Sequence, residues 1–266
     1  MLSKMSTSER EMPFLDHLEE LRWRLIKSIL AVVAGAIVVY FFSDTVLNLL
    51  IHPYNTAAAQ LDKGHVQKLI FLTPTGGFMI RIKLSVFAGV VLSIPVIFYQ
   101  IWQFVVPGLM AKEKRYVPLV VFFSTFCFLL GAFFCYFVVL RFGLKFLLSF
   151  ETADMVATIS VNEYLQFVTM LIFVFGLIFE LPILAFFLTT IGLLTPAFLR
   201  HYRRHGIVIM VILAAVITPP DIFTQLFLAG PLILLYEISI LVSSITLKGK
   251  TKKENTDETE VAEATE

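Results

Sequence analysis

The stretch from Tyr164 to Leu199, YLQFVTMLIFVFGLIFELPILAFFLTTIGLLTPAFL, contains a single charged residue, Glu180. An apolar run of this length indicates a membrane helix, because about 20 helical residues cross the hydrocarbon core of a bilayer. A carboxylate inside such a helix costs on the order of 3 kcal/mol to insert and persists only where it faces protein or water. Glu180 is therefore a candidate intramembrane contact site. The alternative is a protonated acid that hydrogen-bonds a neighbouring helix and fixes bundle packing.

The whole chain shares this apolar character. Hydrophobic residues make up 58% of its 266 residues, and its mean hydropathy is +0.85. A soluble domain has about 45–50% apolar residues. The sequence predicts an all-α integral membrane protein in which residues 1–247 form one domain. Six transmembrane helices are predicted, over approximately residues 25–42, 84–106, 117–140, 161–191, 205–219 and 222–247.

The basic residues predict the orientation of these six spans. An even number of spans places both termini on one side of the membrane. That side would hold fifteen of the 21 Lys and Arg residues. Because cytoplasmic loops carry an excess of Lys and Arg, we expect both termini to be cytoplasmic.

Several boundaries have local signals. Residues 12–25 have apolar side chains at helical spacing, which predicts an amphipathic helix along the cytoplasmic interface before the first span. The outer segment 43–81 is expected to be an irregular loop broken by Pro53, Pro74, Gly76 and Gly77. The residues expected to cap the bundle are Leu47, Leu49, Leu50 and Ile51. Ser160 to Glu163 is a capping-box pattern that predicts the start of the fourth helix. Thr195-Pro196 reads as an N-cap followed by proline at the first helical position.

The fifth span is unusually short. Its fifteen uncharged residues would extend only about 22 Å, against a hydrocarbon core of about 30 Å. Short fifth and sixth helices are expected to make the bundle concave beside Glu180. Residues 248–266 carry lysines and then acids, which predicts a disordered, charged cytoplasmic tail.

No catalytic signature is present in the sequence. It has no nucleotide-binding lysine loop, no Gly-x-Ser-x-Gly elbow and no His-Glu-x-x-His zinc motif. His201 and His205 are four residues apart, but they flank Arg203 and Arg204, whose charge would oppose a metal cation. We therefore predict neither an enzyme nor a site for a metal, a cofactor or a nucleic acid.

Four stretches of the sequence together resemble the C subunit of the twin-arginine protein translocase, the TatC family. They are HLEELRWRL at 17–25, YQIWQF at 99–104 continuing through Pro107 to EKR at 113–115, FELP at 179–182, and TPPDIFTQ at 218–225. Each stretch alone is weak, but their order on six spans of this polarity is specific. The resemblance covers roughly residues 13–247.

The resemblance implies a receptor in the cytoplasmic (inner) membrane of a prokaryote. Its ligands would be folded precursor proteins whose signal peptides carry consecutive arginines. Its partners would be the single-span subunits TatA and TatB, together with further copies of itself. Export would be driven by the proton-motive force.

The resemblance also implies site residues. The cytoplasmic signal-peptide site corresponds to Glu20, Arg22, Phe104 and Glu113, and the intramembrane contact for a partner or a signal peptide corresponds to Glu180. Four further positions match residues that the family uses on its outer side or in its core: Pro53, Tyr136, Asp221 and Gln225.

Charge chemistry independently supports the two cytoplasmic glutamates. Guanidinium groups are planar forks that prefer carboxylates able to accept two hydrogen bonds. Glu20 and Glu113 are acids on a face dominated by bases. The alternative is that each one only pairs with a neighbour, Arg24 or Arg115.

Two positions depart from the family pattern. Gly76-Gly77 stands where relatives are expected to carry an acid, and Met110 stands where an aromatic residue is usual. The competing function is a proton-coupled small-solute transporter that would use Glu180 and Glu237 as relay groups.

Overall fold

The computed structural model describes residues 14–60, 69–106, 114, 117–149, 158–217 and 222–263. Most of these residues are helical, and a π-helical segment, Cys135–Val139, joins α4 to α5. The α-helices, in chain order, are α1 (Phe14–Phe41), α2 (Ser43–Gln60), α3 (Gly76–Val105), α4 (Val117–Phe134), α5 (Leu140–Ser149), α6 (Val161–Ile178), α7 (Leu181–Thr190), α8 (Pro196–His201), α9 (Arg203–Ile217) and α10 (Ile222–Glu263).

Five helical stretches in the described part of the chain are long and apolar enough to cross a membrane. They are Asp16–Phe41, Gly76–Val105, Val117–Ser149, Val161–Thr190 and Thr224–Gly249. These stretches cover all but at most the last residue of each of the first four predicted spans and most of the predicted sixth, so the all-helical membrane fold is confirmed. The predicted fifth span coincides with α9, which has only 15 residues and is not among the five. The expectation of a short sixth helix is wrong, because that stretch has 26 residues.

The beginning of the chain differs from the sequence prediction. The amphipathic segment 12–25 was expected to form a separate interfacial helix, but α1 runs without a break from Phe14 to Phe41. No proline or glycine lies between residues 14 and 34 to end the helix. The charged residues of this segment therefore lie on the first turns of the helix that forms the first span.

The second span begins earlier than predicted. Helix α3 starts at Gly76, eight residues before the predicted boundary at residue 84. The sequence prediction stopped at Arg81 and Lys83, because charged residues are costly inside a membrane. In the structure, Arg81 Nη2 donates to Asp44 Oδ1 of α2 at 2.8 Å, so part of this charge is paired at the end of the bundle.

The end of the chain also differs from the prediction. Residues 248–266 were expected to be disordered, but α10 continues as a helix to Glu263. Lysine and glutamate, which make up nine of the 19 residues of this segment, have high helix propensity. A polar composition therefore did not exclude local helical structure.

Helices α1 and α3 approach each other closely through small residues. A Cβ atom on Gly89 would lie 2.5 Å from the backbone nitrogen of Ala36. Beside this contact, Ser93 Oγ of α3 donates to the carbonyl oxygen of Ala31 at 2.8 Å. Small residues and interhelical hydrogen bonds are the means by which membrane helices associate.

Helix α2 caps one end of the bundle and contains Pro53. Proline lacks an N–H, so the carbonyl of Leu49 cannot accept the usual bond within the helix. The Tyr136 hydroxyl donates to that carbonyl at 2.8 Å, and the Tyr164 hydroxyl donates to the next one, Leu50, also at 2.8 Å. Leu50 is buried, as the predicted cap requires, and so are Pro53, Tyr54 and Ala57. Leu47 and Ile51 are only partly buried and Leu49 is 56% exposed, so the cap is not formed by all of the predicted residues.

Helix α6 begins at Val161, as predicted, but not through a capping box. The Ser160 side chain makes no capping bond. Instead, Val161 N donates to Ile70 O at 3.0 Å and Ile70 N donates to Ile159 O at 3.2 Å, which forms an isolated parallel β-bridge between Ile70 and Ser160. The predicted cap at Thr195 is confirmed, because its side chain accepts a bond from Phe198 N at 3.2 Å.

Candidate functional site

The first turns of α1 and the last turns of α3 form one site at the end of the bundle where the chain begins. Arg24 donates from Nε to Glu20 Oε1 at 2.8 Å, and its Nη1 reaches Gln100 Oε1 of α3 at 3.3 Å. The rings of His17 and Phe104 stack with centroids 4.3 Å apart and planes 14° from parallel. The stretches HLEELRWRL and YQIWQF are therefore in contact.

Only one oxygen of the Glu20 carboxylate is hydrogen-bonded within the described part of this site. Both of its bonds from Arg24 go to Oε1, and Oε2 has no hydrogen-bond partner among the residues that the structure describes. The side chains of Glu20 and Arg24 are each 21% exposed. An i,i+4 ion pair at this exposure contributes only about 0.3–0.5 kcal/mol. A second guanidinium can therefore bind Oε2 or displace Arg24 at small cost.

The other predicted members of this site have different positions. Arg22 is exposed and lies two residues from Glu20, which places it on the opposite face of α1. Phe104 is half-buried against His17. Glu113 lies outside the described residues. Sequence reasoning missed His17 and Gln100, although each is within one helical turn of a predicted residue.

Glu180 lies at the break between α6 and α7. Pro182 cannot donate a hydrogen bond to the carbonyl of Ile178, so the fourth span divides there into two helices. Glu180 is 6% exposed and occupies the N-cap position of α7 without making a capping bond. Glu180 is therefore a buried acid within the fourth span, as its position in the apolar run predicted.

The surroundings of Glu180 leave its carboxyl incompletely bonded. It faces the Ser124 hydroxyl and the Phe128 backbone of α4. Within the described part of the chain, neither Glu180 Oε1 nor Ser124 Oγ has a partner in hydrogen-bonding geometry. Leaving a buried polar group unsatisfied costs about 1–3 kcal/mol. The site therefore has unused hydrogen-bonding capacity at membrane depth.

The remaining family-matched positions serve packing in the structure. Pro53 and Tyr136 are joined through the Leu49 carbonyl described above. Gln225 Nε2 of α10 reaches the carbonyl of Val211 in α9 at 3.4 Å. Asp221 lies outside the described residues.

Glu237 does not have the environment expected of a relay group. Arg203 Nε donates to Glu237 Oε1, and the Glu237 side chain is 34% exposed. Arg203 is the first residue of α9, so this acid is an ion-paired group near a helix end. The structure therefore gives no support to a transporter that passes protons between Glu180 and Glu237.

A comparison with protein families identifies the chain. A family model described as "Sec-independent protein translocase protein (TatC)" matches residues 16–231. This chain belongs to the TatC family. It is therefore assigned to protein transport in a membrane rather than to a catalytic class.

Individual relatives are similar in sequence to this chain over nearly its whole length. The Sec-independent protein translocase protein TatC of Desulforapulum autotrophicum is 41% identical over 259 residues, covering 97% of this chain and 93% of the relative. The TatC of Aquifex aeolicus is 40% identical over 242 residues, covering 90% and 98%.

A solved structure entitled "Crystal Structure of Twin Arginine Translocase Receptor- TatC" superimposes with a TM-score of 0.75 at 40% identity. The match covers 86% of this chain and 99% of the solved one. The fold predicted from the resemblance is therefore that of a known receptor structure.

Proposed function

We propose that this TatC-family chain is the receptor that binds consecutive arginines of signal peptides on folded precursor proteins. The observation that carries the proposal is the Glu20 carboxylate, which is 21% exposed near the start of α1 and has one oxygen without a hydrogen bond among the described residues. Glu113 would supply the second carboxylate of the site. The stacked His17 and Phe104 rings would form an apolar wall beside it.

The charge arrangement fits an arginine ligand that competes with an internal arginine. Arg24 is hydrogen-bonded to Oε1 of Glu20 in the unbound protein, so the carboxylate has a counter-charge before a ligand binds. A guanidinium of the signal peptide could take the place of Arg24 and bond to both carboxylate oxygens, whereas Arg24 bonds only to Oε1. Lysine would keep the charge but lose the planar fork, so a Lys-Lys signal should bind more weakly.

The membrane arrangement that we propose has six spans with both termini in the cytoplasm of a prokaryotic inner membrane. Helix α9 would be the fifth span, and its 15 residues would require local thinning of the bilayer. Glu180 would contact a polar side chain of TatA, of TatB or of the signal peptide. Further copies of the chain would assemble with it, and the proton-motive force would drive export.

The test is photo-crosslinking of an Arg-Arg precursor and a Lys-Lys precursor to the full chain in membranes. Glu20→Ala and Glu113→Ala should each lower capture of the Arg-Arg precursor by about tenfold or more, through loss of charge-assisted bonds. Glu19→Ala is the matched control, because Glu19 is exposed one position away. The proposal is wrong if both glutamate variants still distinguish the two precursors as well as the parent chain does.

Arg24→Ala provides a second arm of the same experiment. Removing Arg24 frees both oxygens of Glu20, so capture should be retained or strengthened. If Arg24→Ala instead lost capture as completely as Glu20→Ala, the intact ion pair would be needed for structure and the recognition site would lie elsewhere.

A further inference from the structure

A row of polar side chains follows one face of α6 near its beginning. Asn162, Gln166 and Thr169 are separated by four and three residues, so they share a face of the helix. All three line a cleft of about 290 Å³ between α6 and α3, together with Lys83. The rest of the lining is apolar: Ile80, Leu84 and Leu165. The receptor function proposed above does not account for this cleft.

The charge of Lys83 has no acidic partner among the residues that the structure describes. Its Nζ donates to the neutral Asn162 Oδ1 at 3.1 Å. The ion pairs found within the described residues do not include Lys83, whereas nearby Arg81 is paired with Asp44. A cation on a membrane helix is costly unless a counter-charge or water stabilises it. Among the described lining residues, Lys83 therefore presents a positive charge without an acidic partner to a ligand in the cleft.

The depth of the cleft matches the lipid headgroup boundary. Helix α3 has 30 residues and extends about 45 Å, which exceeds the hydrocarbon thickness by about 15 Å. Lys83 lies about 10 Å from the start of α3, and its flexible stem can carry the ammonium group back toward that start. Asn162 lies in the first turn of α6. Both polar groups are therefore near the level of phosphate and glycerol groups.

We propose that this cleft binds the phosphate of an anionic phospholipid in the leaflet opposite the beginning of α1. That leaflet is the one facing the start of α3, because the start of α1 contacts the end of α3 at His17 and Phe104. The proposal does not depend on the receptor function.

Each lining group has a role in holding the lipid. The Lys83 ammonium and the Gln166 amide donate to phosphate oxygens, and Asn162 donates from Nδ2 while its Oδ1 holds Lys83. The Thr169 hydroxyl already donates to Leu165 O at 2.7 Å, so it can only accept a bond, for example from a glycerol hydroxyl. The apolar side chains of the cleft contact the upper part of the acyl chains.

The experiment is native mass spectrometry of the detergent-purified full chain titrated with phosphatidylglycerol or phosphatidylcholine of the same acyl chains. Phosphatidylglycerol should bind more tightly, since it carries the net negative charge. Lys83→Gln should weaken its binding by about fivefold or more, the effect of one lysine near an anionic headgroup. Lys145→Gln is the matched control, because Lys145 is exposed on α5 at the same end of the bundle and should leave binding unchanged.

Two further arms identify the occupant. Inorganic phosphate at millimolar concentration should not displace phosphatidylglycerol, since the acyl chains contribute to binding. A photoreactive residue at position 166 should attach to lipid in membranes rather than to polypeptide. Gln166→Leu replaces Lys83→Gln if the latter does not fold, and should weaken phosphatidylglycerol binding about threefold.

The proposal is overturned by any of four results. They are equal affinity for the two lipids, unchanged phosphatidylglycerol binding in the folded Lys83→Gln or Gln166→Leu variant, displacement of the lipid by inorganic phosphate, and a crosslink from position 166 to protein.

Discussion

At the scale of single residues, Pro53 and Tyr136 act on the same carbonyl group. Proline removes the N–H that would bond Leu49 O inside α2, and the tyrosine hydroxyl supplies the missing donor from 87 residues further along the chain. The π-helical segment that contains Tyr136 adds a residue to the helical turn, and such segments often reposition a side chain. The two family-matched residues thus form one structural unit.

This pairing predicts a coupling in stability. Tyr136→Phe should lower the free energy of unfolding by about 1 kcal/mol, because the Leu49 carbonyl loses its donor. In a Pro53→Ala background, residue 53 regains an N–H, so the same change should cost clearly less. Thermal unfolding of the four proteins in detergent measures the difference. Equal losses in both backgrounds would show that Tyr136 stabilises the chain in some other way.

Glu180 poses the opposite case of a buried carboxyl with one oxygen that has no hydrogen bond among the described residues. Because Glu180 Oε1 is buried and unbonded within the described residues, Glu180→Leu should leave the unfolding temperature unchanged or raise it. The same variant should lose its single-span partners, whereas Glu180→Gln should retain them in part, since the amide still donates and accepts bonds. Thermal unfolding and co-purification of partners measure the two effects separately.

Ser124→Ala is the control for the Glu180 variants. It removes the other unsatisfied oxygen of the pair without removing the carboxyl. A Glu180→Leu protein that is strongly destabilised, or that keeps its partners at parent levels, would contradict the assignment of Glu180 to intermolecular contact.

At the scale of helices, the contact of α1 with α3 depends on the absence of a side chain at Gly89. Gly89→Ala would place a methyl group 2.5 Å from the Ala36 backbone nitrogen, so the helices must separate. We expect a loss of about 1–3 kcal/mol. Gly143→Ala in α5 meets no atom within 4 Å and should be neutral or gain up to about 1 kcal/mol from helix propensity. Unfolding measurements that give the two variants the same sign would contradict this packing.

Hydropathy predicted most spans because an apolar helix in lipid needs no tertiary information. Helix boundaries were predicted wrongly where a proline or a charged residue suggested that a helix must end. Helix α2 was read as an irregular outer segment because of Pro53, yet Tyr136 compensates for the missing bond. The start of α3 was missed because the pairing of Arg81 with Asp44 depends on two segments meeting in space.

At the scale of the whole molecule, the positions of the sites follow from helix direction. The site at Glu20 lies where α1 begins and α3 ends, whereas Lys83 lies near the opposite end of α3. The sequence motifs predicted that Glu20 and Phe104 belong together, because the family pattern carries both. The Arg24–Gln100 bond and the cleft beside Lys83 could not be predicted, since they depend on how two helices rotate against each other.

The six-span arrangement predicts which surface positions face each side of the membrane. In a chain lacking Cys127 and Cys135, single cysteines at Asn55 and Thr158 should react with an impermeant maleimide from outside. Cysteines at Arg204 and Lys248 should react only after permeabilisation. All four positions are exposed. Outside labelling at Lys248 would require an odd number of crossings and would contradict a spanning α9.

The backbone pairing of Ile70 with Ser160 also imposes an order on biogenesis. The two paired residues are 90 positions apart in the chain, so roughly 5–18 s of synthesis separate Ile70 from Ser160. The second and third spans are made during that interval, before the segment around Ile70 can form this pairing. Helix α6 then donates its first N–H group to Ile70 O. This pairing can therefore form only after the start of the fourth span has been made.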